Sequence, residues 1–363
     1  MTSSTRVLLV VQQLRRRVPG GIGVITRGLL GGLRALENDP DATAEITLYA
    51  SRAGRGGDRL ADLGRPVLQS KLPGPLMVRA WDRGILDVPR RFDVVHATSL
   101  AAPPARRARL VATVHDLTWR HVPDAFPPRG VRWHEAALGR VLRTASAFVV
   151  PSAEVAADLL AAGALERSLH VVPFGCDHLP PPDIAAAQNM LERLGVEGEF
   201  LLSVSTLEPR KNLVRLLDAY ELARARLPDC WPLVVVGPQG WGRHLEARHG
   251  VVLAGAVEDA TLAALYQRAR LVAYVPLEEG YGLPPLEAMR AGTPVVASKV
   301  PSTGDAVLEV NPSSTEEIAE ALVSAAMDEA VRARLVSSGR SHVAPLTWDA
   351  TARRYLELWE TPA

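Results

Sequence analysis

The 363-residue sequence is poor in cysteine, with Cys176 and Cys230 as its only two. They lie far apart and lack the spacing of metal ligands, which argues against a disulfide framework or a structural zinc site and indicates a reducing compartment. An excess of one charge is also missing, because 41 basic residues nearly balance 40 acidic ones. This balance argues against nucleic acid as a partner, since nucleic-acid-binding proteins carry a basic surface.

Long hydrophobic runs are absent as well. Near the N-terminus, the apolar residues 7–11 are followed, after three residues, by Arg15, Arg16 and Arg17. Such a short run cannot form the core of a signal peptide, and no later run approaches the length that crosses a bilayer. We therefore expect a cytoplasmic protein, with at most a peripheral contact to the inner face of the membrane.

The sequence does contain a regular alternation of short β-branched runs with longer helical patterns. In the first half, strands are predicted at residues 7–11, 45–49, 93–96, 110–115, 147–150 and 170–172. In the second half, they are predicted at residues 200–205, 233–236, 251–253, 271–275 and 294–297. The main predicted helices cover residues 22–37, 132–144, 152–162, 212–226, 259–268, 282–291 and 348–359.

This alternation predicts an α/β protein with parallel sheets and helices on both faces, arranged as two Rossmann-like lobes. A proline-rich linker at residues 177–184 separates an N-terminal lobe, 1–176, from a C-terminal lobe, 185–345. The final segment, 346–363, carries a helix that we expect to pack back on the N-terminal lobe. Two such lobes bind ligands at the carboxyl ends of their strands, in the cleft where they face each other.

The most informative segment covers residues 276–298, with the sequence PLEEGYGLPPLEAMRAGTPVVAS. It predicts a strand, a loop with two glycines, and a helix whose first turn contains two prolines. Free N–H groups at such a helix start bind anions, and Glu279 and Glu287 can accept hydrogen bonds from hydroxyl groups. The alternative interpretation is an ordinary surface helix with two solvated glutamates. The clustering of glycines, prolines and acids in one turn favours a site for a sugar or a ribose.

This segment closely resembles the signature of the family 4 retaining glycosyltransferases, which have the GT-B fold, and in particular those that transfer mannose. The resemblance implies that Glu279 is catalytic at the donor hexose and that Glu287 holds the donor ribose. It implies a first lobe on the acceptor side and a second that binds the donor nucleotide. Because the sequence shows no cluster of metal ligands, we expect neither a catalytic metal nor a cofactor. The implied donor-binding residues are Gly21, Gly23, Glu208, Val257, Gly280, Tyr281, Gly282, Leu283 and Glu287.

A second motif, LLSVSTLEPRKN at residues 201–212, opens the second lobe. It places Arg210 and Lys211 after a strand, where two adjacent cations can neutralise a diphosphate. Most such pairs are merely solvated, but the resemblance implies a catalytic phosphate clamp at this motif. Family members commonly have glycine where this chain has Ser205, which crowds the loop slightly.

His115 and Asp116 follow a predicted strand of the first lobe. A histidine at a strand end can orient a hydroxyl group, although it is as often a structural residue. The resemblance favours His115 as a residue that positions the hexose, whereas Asp116 is equally consistent with fixing the turn. The glycine turn from Gly20 to Gly23 resembles the family loop that closes over the donor phosphate, but tight turns use glycine without any ligand.

Three further features leave alternatives open. Residues 76–86 mix apolar side chains with Arg79 and Arg83, which fits a core helix better than a helix facing an acceptor or a membrane. Asp39-Pro40-Asp41 resembles an acidic metal-binding pair but follows a helix and is interpreted as a turn. The loop after Val300 is shorter than in relatives, which can alter donor affinity or sugar choice.

Together, these motifs and the resemblance predict transfer of a hexose from a nucleotide sugar to a glycan, lipid-linked or small-molecule hydroxyl. The resemblance around residues 115–126 favours GDP-mannose as the donor, and UDP- and dTDP-sugars remain open. No covalent nucleophile stands out, so attack on the same face as the departing diphosphate is the working hypothesis. A nicotinamide oxidoreductase would need a glycine fingerprint directly after a strand, and none is present. A catalytically silent subunit that only binds sugar nucleotides remains the alternative.

Overall fold

The computed structural model describes residues 4–39, 44–54, 57–89, 91–241, 245–246 and 248–361. Contacts within the chain divide it into two units. Unit 1 takes the described residues of Met1–Arg120, Pro127–Gly175 and Thr347–Ala363, and unit 2 takes those of His121–Phe126 and Cys176–Leu346. The boundaries at Gly175 and Leu346 fall close to the proline-rich stretch and to the start of the last helix.

Unit 1 contains a sheet whose described strands are all parallel, in the order β3-β2-β1-β4-β5-β6-β7. These strands are β1 (Arg6–Val10), β2 (Glu45–Ala50), β3 (Val67–Gln69), β4 (Val94–Ala97), β5 (Arg109–Thr113), β6 (Ala147–Val150) and β7 (Leu169–Val171). Val7 pairs with Ile46 on one side and with Val94 on the other. The direction of strand order therefore reverses between β1 and β4, which is where ligands bind in open parallel sheets.

The helices of this part of the chain lie between the strands. They are α1 (Gly20–Ala35), α2 (Gly74–Asp82), α3 (Thr118–His121), α4 (Pro128–Thr144) and α5 (Ala153–Ala161). As its position before the apolar pattern indicates, Ser152 caps α5 by accepting a hydrogen bond from the Val155 N–H. Strands β4 and β6 are fully buried, as expected for a sheet covered on both faces.

Unit 2 contains a second sheet whose described strands are also parallel, in the order β10-β9-β8-β11-β12-β13. Its strands are β8 (Leu201–Val204), β9 (Leu233–Val236), β10 (Val251–Gly255), β11 (Leu271–Tyr274), β12 (Val295–Ala297) and β13 (Leu308–Glu309). Its helices are α6 (Ile184–Arg193), α7 (Leu213–Arg224), α8 (Asp259–Arg268), α9 (Leu283–Ala291), α10 (Thr315–Met327) and α11 (Glu329–Val343). Here the strand order reverses between β8 and β11.

The last helix, α12 (Trp348–Glu360), packs on α1 in unit 1, which confirms the predicted return of the chain. Two glycines of α1 permit this close approach. A Cβ atom at Gly28 would lie 2.1 Å from the Trp348 ring, and one at Gly32 would lie 2.2 Å from the Trp348 carbonyl oxygen. Larger residues at these positions would force the two helices apart.

A buried aromatic cluster attaches α12 to the sheet of unit 1. The Trp359 Nε1–H donates to His96 Nδ1 at 2.8 Å, and the opposite ring nitrogen, Nε2, lies 2.8 Å from the Thr113 hydroxyl. The His96 ring also stacks on Tyr355, with ring centroids 5.1 Å apart. Because Nδ1 accepts, Nε2 carries the proton and the histidine is neutral. Burial lowers the pKa of His96 to about 3.

The pKa of His96 predicts acid sensitivity of the folded chain. An unfolded histidine has a pKa of about 6.5, so the stabilisation by neutral His96 is present above that pH and is lost as the pH falls towards the folded pKa. We expect His96→Gln to flatten the dependence of the unfolding free energy on pH between about pH 6 and pH 5, by up to about 1.4 kcal/mol per pH unit. Chemical denaturation at several pH values measures this slope.

His249→Gln is the matched control, because His249 is exposed in unit 2. It should keep the slope of the parent protein. Equal slopes for the parent protein and His96→Gln would contradict the prediction.

Candidate active site

The turn between β11 and α9 in unit 2 depends on a glycine. Gly282 precedes α9 with a φ of 94°, in the left-handed region that disfavours other residues. A Cβ atom there would also lie 2.3 Å from Val300 Cγ1. Pro284 and Pro285 occupy the first turn of the helix, where their missing N–H groups cost no intrahelical hydrogen bond. The sequence therefore starts a helix directly after a close contact with the chain at Val300.

The short loop after Val300 is bonded to this helix start. The Ser302 hydroxyl donates to the Gly282 carbonyl oxygen at 2.8 Å, and the Ser302 N–H donates to the Tyr281 carbonyl oxygen at 3.2 Å. On the other side, His342 Nε2 donates to the Ser302 carbonyl oxygen at 2.6 Å. The shortened loop thus supports the glycine turn directly.

The second motif lies at the end of the neighbouring strand, β8. Residues Pro209–Lys211 form one turn of 3₁₀ helix, followed by Asn212 with a positive φ of 57°. The Asn212 amide donates to the carbonyl oxygens of Val275 and Pro312, at 3.0 and 2.8 Å. Because β8 and β11 are adjacent in the sheet, these hydrogen bonds hold the two motifs together.

The carboxylate of Glu279 is the centre of a hydrogen-bonded cluster. Its Oε2 atom forms an ion pair with Lys211 Nζ and lies 3.1 Å from Arg210 Nη1. The Tyr274 hydroxyl donates to the same oxygen at 2.6 Å and accepts from Lys211 Nζ at 2.7 Å. Arg210 Nη2 donates to Glu208 Oε1 at 2.9 Å. Four residues singled out from the sequence are therefore in contact, and Tyr274 joins them.

Burial sets the electrostatics of this cluster, since the side chains of Glu279 and Lys211 are each only 11% exposed. Burial alone would raise the pKa of Glu279, but Arg210 and Lys211 outweigh it and lower the pKa well below its usual range. Burial and Arg210 lower the pKa of Lys211, while Glu279 opposes this shift. Burial raises the pKa of Glu208, against the effect of Arg210. The fixed charges hold Glu279 ionised.

Glu287 lies in a different hydrogen-bonded group, on the buried side of α9. Its Oε2 atom accepts from the Tyr266 hydroxyl at 2.7 Å, and its Oε1 atom lies 3.1 Å from His178 Nε2. Burial and the neighbouring carboxylate raise the pKa of Tyr266 well above its usual value. Each carboxylate oxygen thus has one protein partner and retains a lone pair for a further donor.

The remaining predicted donor-binding residues of unit 2 have less specific surroundings. Tyr281 and Leu283 are buried beside Gly282, and Gly280 precedes them in the loop. The half-buried Val257 follows β10, and no hydrogen bond recorded for the described residues joins its backbone to the Glu279 cluster.

Residues 121–126, a segment of unit 2 next to the Glu279 loop, were not predicted from the sequence as part of the site. His121 Nδ1 is 3.3 Å from a carboxylate oxygen of Glu278, the residue before Glu279. The Trp241 Nε1–H donates to the Ala125 carbonyl oxygen at 3.0 Å. The only signal for this segment in the sequence is its histidine and aromatic side chains. Its position in unit 2 could not be predicted, because the residues before and after it along the chain belong to unit 1.

In unit 1, His115 lies two residues beyond the end of β5. Its Nε2 atom lies 2.8 Å from the Thr98 carbonyl oxygen, which can only accept, so Nε2 carries the proton and Nδ1 is an acceptor. Nδ1 is buried and has no hydrogen-bond partner among the residues that the structure describes. Burial lowers the pKa of His115. A neutral imidazole with an unused acceptor therefore lines a cavity in this unit.

Asp116 and the glycines near the N-terminus have mainly structural surroundings. Asp116 Oδ1 accepts from the Thr118 N–H at 3.1 Å and from its hydroxyl at 2.7 Å, which fixes the turn before α3. The predicted glycine turn lies within the first turns of α1, which begins at Gly20. A Cβ atom at Gly23 would lie 2.2 Å from Pro19 Cβ, whereas Gly21 has open space around it.

Helix α2 has a buried side and an exposed side. Met77 and Trp81 are buried in the core of unit 1, in agreement with a core helix, whereas Leu76 is 51% exposed. Leu76, Arg79 and Arg83 line the same cavity as His115. The prediction of a simple core helix was therefore incomplete.

The described residues contain no candidate for a metal site or a membrane span. Histidine, cysteine and carboxylate side chains of these residues form no group of three that is placed to hold a metal ion. Within the same ranges, no helix combines the length and apolar character that a membrane span requires. Of the Asp39-Pro40-Asp41 turn, Pro40 and Asp41 lie outside the described residues.

Comparisons with solved structures concern the fold. The chain is similar to HepE from Anabaena, solved in complex with UDP and glucose, with a TM-score of 0.73 and 20% identity over 98% of this chain and 99% of that one. It is also similar to sucrose-phosphate synthase from Thermosynechococcus elongatus, with a TM-score of 0.74 and 19% identity over 98% of both chains. Both comparisons support the predicted GT-B fold.

Curated relatives are similar over parts of their sequences. The serotype-specific mannosyltransferase WbdA of Escherichia coli is 28% identical over 237 residues, which are 61% of this chain but only 28% of WbdA. O-antigen chain mannosyltransferase B of Escherichia coli is 30% identical over 270 residues, 68% of each protein. Phosphatidyl-myo-inositol mannosyltransferase of Mycolicibacterium smegmatis is 27% identical over 74% of this chain and 71% of that protein.

Family models match both halves of the chain. The model described as Glycosyltransferase Family 4 matches residues 19–178, and the model described as Glycosyl transferases group 1 matches residues 192–342. The second match contains both motifs that meet at Glu279. The chain therefore belongs to glycosyltransferase family 4.

Proposed function

We propose that this protein transfers a hexose, with retention of configuration, from a nucleoside-diphosphate sugar to an acceptor hydroxyl. The observation that carries the proposal is the buried cluster in which Arg210 and Lys211 meet Glu279 beside the start of α9. GDP-mannose is the proposed donor, because the relatives WbdA, O-antigen chain mannosyltransferase B and phosphatidyl-myo-inositol mannosyltransferase are all named as mannosyltransferases.

The start of α9 adds donors for a diphosphate. Among the described residues, no acceptor is recorded for the N–H groups of Gly280, Gly282 and Leu283. Such N–H groups and the positive end of the helix dipole attract anions. Together with Arg210 and Lys211, they can stabilise the charge that develops on the departing diphosphate, which is usually the largest contribution to catalysis.

Glu287 and Glu279 bind different parts of the donor. The free lone pairs of Glu287 suit two ribose hydroxyls, while Tyr266 and His178 hold the carboxylate in position. Glu279, kept ionised by its two cations, accepts from hydroxyls of the hexose. In the transfer, the bond between the sugar carbon and the diphosphate oxygen breaks, the acceptor oxygen bonds to the same face, and its proton passes to the departing diphosphate.

The donor cluster is tested with Lys211→Ala. Loss of this cation removes charge stabilisation from the leaving group and leaves Glu279 with Arg210 as its one cationic partner among the described residues, so we expect transfer to fall about tenfold or more. Release of radiolabelled sugar from GDP-mannose and from UDP-glucose, with broad acceptor mixtures, measures transfer and donor choice. Lys71→Ala is the matched control, since Lys71 is exposed in unit 1. Near-normal turnover by a folded Lys211→Ala protein would refute the assignment.

The same assay separates an enzyme from a silent binding subunit. An active enzyme transfers the sugar, or hydrolyses the donor slowly to water, whereas a silent subunit binds the nucleotide sugar without releasing the sugar. Thermal stabilisation by the nucleotide sugar, measured in parallel, reports binding in both cases.

His115 is proposed to position a hydroxyl group through its free Nδ1 atom. His115→Ala should lower transfer about tenfold, and His115→Asn should restore part of it, because its side-chain oxygen can lie near the position of Nδ1. Burial lowers the pKa of His115, so the neutral form persists below the usual pKa of about 6.5. The transfer rate should therefore stay constant as the pH falls to about 6.5 and decline only at lower pH.

His249→Ala, at an exposed histidine of unit 2, is the control for both measurements. If His115→Ala leaves the rate and its pH profile unchanged, the histidine has a structural role only.

Transfer is proposed to need no metal ion, because Arg210, Lys211 and the N–H groups at α9 can meet the charge of the diphosphate. We expect turnover in excess EDTA to equal that in magnesium chloride. Dialysed protein assayed in both buffers provides the measurement, and a loss of turnover in EDTA that added magnesium reverses would overturn this part of the proposal.

A further inference from the structure

Unit 1 contains a large open cavity, with a volume of about 1690 Å³, at the carboxyl ends of its central strands. Gln12 follows β1, Ser51 follows β2, Ser99 follows β4 and His115 follows β5, and all four line it. Typical pockets for small ligands measure about 300–1,000 Å³. This cavity is therefore large enough for a molecule bigger than one sugar ring.

The cavity is rich in arginine although the chain as a whole is nearly neutral. The arginines that line it come from separate segments of unit 1 and are Arg15, Arg16, Arg52, Arg79, Arg83 and Arg129. Asp82 and Asp116 are the only acidic residues among the described lining residues. The lining therefore carries a clear excess of positive charge.

The two aspartates do not neutralise these arginines. Asp82 forms an ion pair with Arg140 and accepts from the Trp133 Nε1–H at 3.3 Å. Asp116 accepts two hydrogen bonds from Thr118. Both carboxylates are thus already bonded to other residues of unit 1.

Most of the lining arginines have no carboxylate partner. Arg15 forms an ion pair with Asp58. For Arg52, Arg79 and Arg129, which are exposed, no carboxylate in the described part of the chain lies within ion-pair distance. Their guanidinium groups are available to a ligand. A single carboxylate engages one arginine fork, whereas a phosphate group offers three oxygens to several.

One face of α2 brings an apolar side chain next to two of these arginines. Leu76, Arg79 and Arg83 are spaced by three and four residues and so lie on one side of the helix. The neutral His115, with its free acceptor atom, lies in the same cavity. Charged, apolar and hydroxyl-binding groups are therefore combined in one site.

We propose that this cavity binds the acceptor and that the acceptor carries a phosphate ester, bound by Arg79, Arg129 and Arg52, while His115 receives its hydroxyl group. The inference rests on the proposed function and adds the chemical class of the acceptor. The phosphate belongs either to a soluble phosphorylated compound or to the head group of a lipid. Both sources present negatively charged phosphate oxygens to the arginines, three on a monoester and two on the diester of a phospholipid head group.

The test compares probes that differ only in the phosphate group. Binding of glycerol 3-phosphate and of glycerol to the full-length protein is measured by calorimetric titration. Saturating GDP is present, so that the proposed phosphate-binding residues of unit 2 are already occupied. We expect glycerol 3-phosphate to bind at least about tenfold more tightly, and R79Q/R129Q to lose about that factor. Glucuronate, which carries a carboxylate instead, should bind more weakly than the phosphate ester.

R107Q/R167Q is the matched control. It removes the same charge from two exposed arginines of unit 1 that do not line the cavity, and it should keep the affinity of the parent protein. Equal losses in the two double variants would show a general effect of charge and overturn the proposal. If R79Q/R129Q does not fold, R52Q, a substitution in an exposed loop, is tested instead. It should also weaken the binding of glycerol 3-phosphate.

Vesicles distinguish the two sources of phosphate. Co-sedimentation with phosphatidylcholine vesicles, with and without phosphatidylglycerol, is measured for the same variants. Binding of both glycerol 3-phosphate and phosphatidylglycerol vesicles through Arg79 and Arg129 supports a lipid-linked acceptor, and binding of the soluble ester alone supports a soluble one. Vesicle binding without binding of the soluble ester would indicate a membrane contact and overturn the proposal.

Turnover of nucleotide sugars by the parent protein separates this inference from the proposed function. If the protein transfers sugar equally well to phosphorylated and unphosphorylated acceptors, the inference fails and the proposed function stands. If no nucleotide sugar is turned over but glycerol 3-phosphate binds through the arginines, the proposed function fails and the cavity remains an anion site.

Discussion

The ion pair between Glu279 and Lys211 is the interaction on which the candidate site of unit 2 depends. It joins the ends of β8 and β11, and Arg210 and the Tyr274 hydroxyl bond to the same carboxylate oxygen. Burying a charge is costly unless it is paired, and removal of one partner leaves the other uncompensated. The same residues therefore hold the two loops together, although they come from two separate motifs of the sequence.

The sequence was informative wherever a local pattern determines the structure. Alternating buried strands and helices predicted both sheets, and the adjacency of parallel strand ends explains why Arg210 and Glu279 meet although they are far apart in the chain. Short edge strands such as β3 and β13 were missed, because two or three residues carry no periodicity. Tyr274, Tyr266 and His178 were also missed, since the tyrosines lie in apolar runs typical of a core and His178 lies in a proline-rich stretch. Their roles depend on tertiary contacts that spacing does not reveal.

The two predicted departures from the family pattern have different local surroundings. The loop after Val300 is hydrogen-bonded to the start of α9 through Ser302, so it supports the Gly282 turn. Ser205 is buried at the end of β8, and its hydroxyl oxygen has no hydrogen-bond partner within the described part of the chain. A buried hydroxyl without a partner is costly and retains a proton to donate. Neither departure removes a charge from the Glu279 cluster.

The charge balance of the two sites leads to different binding behaviour. In unit 2, Arg210 and Lys211 are matched by Glu208 and Glu279, so an arriving diphosphate must share cations that already have partners. Such sharing limits the affinity for a bare diphosphate and leaves much of the recognition to neutral donors and to the hydroxyls of ribose and hexose. In unit 1, most arginines of the cavity have no carboxylate partner among the described residues, although water screens the charges of the exposed ones. The proposed acceptor site thus carries an excess of positive charge, whereas the charges of the proposed donor site are balanced.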